Sequence, residues 1–97
     1  MVCYYVYIIS NFTRTTFYIG VTNNLSRRVQ EHCRGCGSKF AQRYNLRYLV
    51  YFERFADIRV AITREKQLKT WHRDWKIALI QSVNPAMEDL SGQIMLG

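Results

Sequence analysis

The stretch Cys3–Ile9, C-Y-Y-V-Y-I-I, is apolar or aromatic at every position, whereas Thr16–Val21, T-F-Y-I-G-V, alternates. The first pattern suits a central strand covered on both faces, and its β-branched residues and tyrosines favour strand over buried helix. In the second, Phe17, Ile19 and Val21 share one face while Tyr18 and Gly20 share the other, as in a half-buried strand. A hairpin through Ser10–Thr15 in its symmetric register sets Ile9 opposite Thr16, Tyr7 opposite Tyr18 and Tyr5 opposite Gly20. Both the Tyr7 and Tyr18 hydroxyls then lie on one face, with opposed β-carbons roughly 4.5–5.5 Å apart. A one-residue slip would part them. A strand glycine such as Gly20 marks a bulge or a close approach to the backbone.

Helical periodicity follows. Asn23 or Asn24 is a ready N-cap before Leu25, and Leu25, Val29 and Cys33 recur every four residues as an inward stripe. Arg28 and His32 have the same spacing and stack on the flank of that stripe, with Arg27 and Glu31 as the neighbouring, more exposed pair. An arginine and a histidine beside two tyrosines make a candidate site for an anionic ligand. After the loop Gly35–Ser38, Ser38 caps a short helix running to Tyr44, with Phe40 and Tyr44 inward and Lys39 and Arg43 outward. Arg47–Phe55 reads as a third strand. Asp57 caps a helix to His72 that buries Ile58, Ala61, Ile62 and Leu68, and Asp74–Val83 forms a last helix that buries Trp75, Ala78 and Leu79 before Asn84-Pro85. Trp71 and Trp75 read as core or lid residues. Three strands need helices to cover them, so the pattern predicts an α+β fold: a three-stranded antiparallel sheet flanked by helices, in the order ββαβαα with an extra short helix.

Glu65 lies three residues from both Ile62 and Leu68, inside the apolar stripe. A carboxylate taken out of water is paired, hydrogen-bonded, protonated or bound to a metal. An ion pair with Arg28 is one reading and a divalent cation is the other.

The 97 residues, 48% hydrophobic and 22% charged, suffice for one core, predicting a single domain over 1–90 and a flexible tail over 91–97. No stretch approaches the ~20 apolar residues of a membrane span and no basic segment leads into an apolar run, which predicts a soluble, cytoplasmic protein with no membrane partner. Fourteen Lys and Arg against seven Asp and Glu leave a formal net charge of +7, favouring a polyanionic partner. Arg34, Lys39, Arg43 and Arg47 form a basic cluster, either a solvated face or a set of phosphate contacts. Of the three cysteines, Cys3 and Cys33 read as small core residues, and Cys33 with Cys36 makes only half of a four-ligand zinc site.

Tyr5-Val6-Tyr7, then Tyr18-Ile19-Gly20, then Arg28 four residues before His32, resembles the GIY-YIG nuclease superfamily, above all its small stand-alone bacterial members, over roughly the first 85 residues. The second motif is intact; of the first, Gly-Ile-Tyr in the family, only Tyr7 carries over. The resemblance implies catalytic roles for Tyr7, Tyr18, Arg28 and His32. It further implies that Glu65, preceded by Arg64 as in the family, holds a single Mg²⁺ or Mn²⁺, with Gly20 and Asn84 as structural residues near the site. The tyrosines would either orient the attacking water or accept its proton, and His32 would relay the proton or hold a tyrosine hydroxyl. The expected function is a metal-dependent endonuclease acting on nucleic acid, DNA rather than RNA, at repair- or recombination-type structures. It would act as a monomer, with a protein partner to target it. The alternatives are a non-catalytic nucleic-acid-binding module on the same fold, and a purely structural domain with a buried Glu65–Arg28 pair.

Overall fold

The computed structural model describes residues 2–35 and 37–95, and its sheet is built from β1 (Tyr4–Ser10), β2 (Phe17–Thr22) and β3 (Tyr48–Phe55). The order is β2-β1-β3, all antiparallel, so the uninterrupted apolar segment is the middle strand. Register in the hairpin differs from the symmetric expectation: Ser10 pairs with Phe17, Ile9 with Tyr18, Tyr7 with Gly20 and Tyr5 with Thr22. The cause is Asn11, whose Oδ1 accepts from the backbone N–H of Thr15 at 2.9 Å and of Thr16 at 3.1 Å, moving the turn one residue along the chain. Each residue of β1 therefore meets one two positions further on than expected. An even shift preserves faces, so Tyr7 and Tyr18 still share one.

Helices cover both faces of the sheet. They are α1 (Leu25–Cys33), α2 (Lys39–Arg43), α3 (Ile58–Thr70), α4 (Arg73–Val83) and α5 (Ser91–Met95). Val6, Ile8, Ile19 and Tyr51 pack with Ala61 and Leu68 of α3 and Ile80 of α4. On the other face, Tyr7, Ile9 and Leu49 pack with Leu25 and Val29 of α1, Ala41 of α2 and the half-buried Leu90 and Ile94. Asn24, Ser38 and Asp57 cap α1, α2 and α3 by accepting from Arg27, Ala41 and Arg59 N–H groups at 3.1, 3.2 and 2.8 Å, each cap contributing about 1 kcal/mol. Among the described residues, no helix is long and apolar enough to cross a membrane.

Several inward assignments change. In α1 the third buried residue is His32, and Cys33 is exposed. At about 100° per residue, seven positions return to within about 20° of the start while eight overshoot by about 80°, which selects His32. Cys3 is half-buried, and Cys36 lies outside the described residues. Phe40 and Tyr44 face solvent because α2 rests on the small Ala41. Ile58, Ile62, Trp75 and Ala78 are exposed and Leu79 half-buried; a three-stranded sheet leaves α3 and α4 only narrow buried stripes. Trp75 instead stands edge-on to Trp71 and His72 at the rim. Of the segment 91–97 read as a tail, Ser91–Met95 forms α5, and residues 96–97 lie outside the described residues. Asp89 Oδ1 accepts from Leu49 N–H of β3 at 3.1 Å and from Ser91 N–H at 3.0 Å, and Leu90 N–H donates to Leu49 O at 2.7 Å, holding α5 against the sheet.

Candidate active site

Tyr7 projects from β1 across Gly20 of β2. A β-carbon at Gly20 would lie 2.5 Å from Tyr7 Oη and 2.6 Å from its Cζ, so the missing side chain makes the berth for the phenol. Three rings then meet: Tyr7 and Tyr18 with centroids 6.4 Å apart, Tyr7 and His32 5.9 Å apart, and Tyr18 and His32 6.3 Å apart. Tyr7 and His32 are each 3% exposed. Neither ring nitrogen of His32 has a hydrogen-bond partner among the described residues, so the imidazole holds no tyrosine hydroxyl. Burial, assisted by the Arg28 charge, lowers the His32 pKa below its ordinary 6.5 and favours the neutral ring, with Glu31 opposing. Burial also raises the Tyr7 hydroxyl well above its ordinary 10.0, with Tyr18, Glu31 and Glu65 adding to the rise and Arg28 opposing it.

Arg28 is half-buried, with Nη1 3.4 Å from Glu31 Oε1 and with no partner for Nε among the described residues. Glu31 rather than Glu65 is thus the carboxylate beside Arg28, and the buried Glu65–Arg28 pair does not form. Glu65, its side chain 19% exposed, has Lys69 Nζ 3.5 Å from Oε2, and the same ammonium lies 5.8 Å from the Tyr18 ring centroid. The rings of Tyr7, Tyr18 and His32 thus pack together, Lys69 links Glu65 to Tyr18, and the charges of Arg28 and Glu65 reach the Tyr7 hydroxyl.

Asn84 joins none of the contacts described for that cluster. It ends α4 and locks it to the sheet, its Nδ2 donating to Val50 O at 3.0 Å and Glu88 O at 2.9 Å while Oδ1 accepts from Glu88 N–H. Lys39, Arg43, Arg34 and Arg47 are all exposed. Two supporting features escaped the sequence reading. A β-carbon at Gly37 would collide with the His32 ring, so the loop after α1 closes directly on the imidazole. On the opposite face, Arg64 grips Glu53 through two hydrogen bonds of 2.9 Å, Tyr51 Oη also donates to Glu53, and Arg64 reaches Gln67. This clamp binds α3 to β3 one residue away from Glu65. A non-local ion pair has no period, and the only hint was a glutamate on a face of β3 that also carries Tyr51.

Comparison with known proteins places the chain in a class of nuclease domains: a family model described as the GIY-YIG catalytic domain covers residues 3–78. The chain belongs to the GIY-YIG family. It is 38% identical to a UPF0213 protein of Clostridium perfringens over 92 residues, covering 95% of this chain and 98% of that one. A UPF0213 protein of Natronomonas pharaonis is likewise 38% identical, over 79% of this chain and 89% of its own length. The solution NMR structure of a UPF0213 protein from Bacillus halodurans superposes with a TM-score of 0.54 at 29% identity, covering 84% of this chain and 86% of that one.

The family's divalent ion fits the donors present. Among the described residues no cluster of three or more His, Cys, Asp or Glu gathers, and Glu65 offers one carboxylate. A hard cation such as Mg²⁺ that keeps most of its water takes one or two carboxylates together with phosphate oxygens. Lys69 Nζ, 3.5 Å from Oε2 and on a side chain 48% exposed, is the cation this carboxylate faces.

Proposed function

We propose that the chain is a metal-dependent endonuclease that hydrolyses phosphodiester bonds in nucleic acid, DNA foremost, at the cluster of Tyr7, Tyr18, Arg28, His32 and Glu65. The observation that carries this reading is the buried, unpartnered imidazole of His32 set between two phenols, with Arg28 and Glu65 both acting on Tyr7.

Glu65 would hold Mg²⁺ or Mn²⁺, which when bound supplies Lewis acidity and charge neutralisation at the phosphate. Arg28, its side chain 36% exposed, presents guanidinium donors to the phosphate oxygens and offsets the charge that grows on them. Tyr7 stays protonated, since its pKa is raised by burial, and serves as a hydrogen-bond donor that orients the attacking water. His32, favoured in its neutral form and with both ring nitrogens free of hydrogen-bond partners among the described residues, takes the proton this water loses. Water oxygen bonds to phosphorus, the bond to the departing oxygen breaks, and solvent protonates the departing group. The packed rings exclude bulk water and hold the acceptor in place.

Cleavage of single-stranded, duplex and branched DNA and RNA with Mg²⁺ or Mn²⁺ tests the reading. Products from wild type and strongly reduced cleavage by Arg28→Ala and by Glu65→Ala are expected. Undiminished cutting by both variants would overturn it.

A further inference from the structure

The cluster is flanked by an exposed aromatic surface that the catalytic reading leaves unused. Phe40 on α2 and Tyr44 at its C-cap, spaced by four, are 44% and 42% exposed, with ring centroids 4.8 Å apart. Phe40 in turn stands 6.2 Å from Tyr18, so the rings run outward from the site in an unbroken series. Cations are interleaved with them: the Arg43 guanidinium lies 5.5 Å from the Tyr44 ring centroid and Lys69 Nζ lies 5.8 Å from that of Tyr18. Lys39 and Arg47 are exposed on and just beyond α2. Residues 32–52 contain four Lys or Arg and no Asp or Glu.

The two exposed rings and Tyr18 form one continuous aromatic face, and the charge around it decides the partner. Aromatic rings among cations, with no carboxylate nearby in the chain, suit a polyanion that also has flat apolar faces. In a duplex those faces are hidden in the stack and only phosphates and groove edges are presented. An unpaired base offers its face for stacking while the adjoining phosphates meet the cations.

We propose that α2 is a stacking platform for unpaired bases, with Phe40 and Tyr44 as its surface and Lys39, Arg43 and Arg47 as phosphate contacts, so that single-stranded segments are the substrate class. The assignment rests on the nuclease reading for its substrate but on separate residues for its test.

The test is binding without divalent metal, followed by fluorescence anisotropy. The probes are a short oligothymidylate, an abasic strand of equal length and a blunt duplex. Wild type should prefer the oligothymidylate. Phe40→Ala and Tyr44→Ala should each weaken that strand about tenfold while leaving the abasic strand unchanged. Phe40→Leu, which keeps an apolar side chain but removes the ring face, should behave like the alanine variant, and thermal unfolding verifies that all three fold. Equal losses on the abasic strand, no loss in any variant, equally tight duplex binding, or no binding at all would overturn the platform. So would a dimer dispersed by Phe40→Ala with strand affinity intact, which would assign the surface to a second copy. Base-dependent binding without cleavage would sink the catalytic reading alone; cleavage indifferent to Phe40 and Tyr44 would sink the platform alone.

Discussion

Gly20→Ala isolates the geometry of the site from its chemistry. The added methyl would lie 2.5 Å from Tyr7 Oη, 2.6 Å from Cζ and 3.0 Å from Cε1, whereas relaxed carbon contacts begin near about 3.5 Å. The end of the phenol must retreat by about 1 Å, and with Tyr18 and His32 packed around it, the retreat disturbs all three rings. Overpacking costs about 1–3 kcal/mol, and alanine in a strand recovers about 0.5–1 kcal/mol relative to glycine. The net loss of about 1 kcal/mol lowers the melting temperature by about 4–8 °C for a domain of this size, leaving the protein folded at 25 °C. A displacement of about 1 Å in a catalytic group costs about 10²-fold in rate. Single-turnover cleavage beside thermal unfolding by circular dichroism reads both effects. Adding Tyr7→Phe removes the closest contact and should return part of the stability without the activity. Full-rate cleavage by Gly20→Ala with an unchanged melting temperature would refute the reasoning.

Because burial lowers the His32 pKa below 6.5, the unfolded chain takes up this proton first; stability is therefore full above about pH 6.5 and falls as pH drops through and below it. Urea unfolding between about pH 7 and 5 should show that slope, flattened in His32→Gln. Burial pushes the Glu53 carboxyl up, yet the Arg64 and Tyr51 hydrogen bonds outweigh it and hold the pKa below 4.5, so this contribution is present above 4.5 and is lost as pH falls through the lower folded value. Glu53→Gln should cost about 2–3 kcal/mol in denaturant unfolding at neutral pH by leaving a largely buried Arg64 without its carboxylate, and should weaken metal-induced NMR shifts at Glu65 by loosening α3. Gly37→Ala, which drives a methyl into the His32 ring, should lower cleavage, whereas Gly92→Ala, with nothing within 4 Å, should stabilise by about 0.4–1 kcal/mol in a thermal melt.

What was legible in the sequence was what repeats with a period or sits at an end. The apolar run of β1, the alternation of β2, and the caps Ser38 and Asp57 read directly from residue type and spacing, and the α1 cap was narrowed to Asn23 or Asn24, of which Asn24 serves. The tyrosine face survived a register error because the error was two residues and not one. What was not legible depends on single long-range contacts. Asp89 bridging β3 and Ser91 turns an apparent tail into α5, and Gly37 closing on His32 is invisible without the fold. The Arg28–Glu31 pairing at a spacing of three, in place of Arg27–Glu31 at four, is a choice between neighbours that burial of one helix flank decides. Phe40 and Tyr44 were read inward because aromatic residues at helical spacing usually are; a helix of five residues resting on one alanine cannot bury them.

In the proposed mechanism Arg28 of α1 and Glu65 of α3 serve one site. Single-turnover cleavage rates for wild type, Arg28→Ala, Glu65→Gln and the double variant, at fixed Mn²⁺, test it most directly. Residues acting as a unit are strongly non-additive, so the double variant should be no slower than the slower single variant. Losses that multiply across the double variant would contradict a shared site.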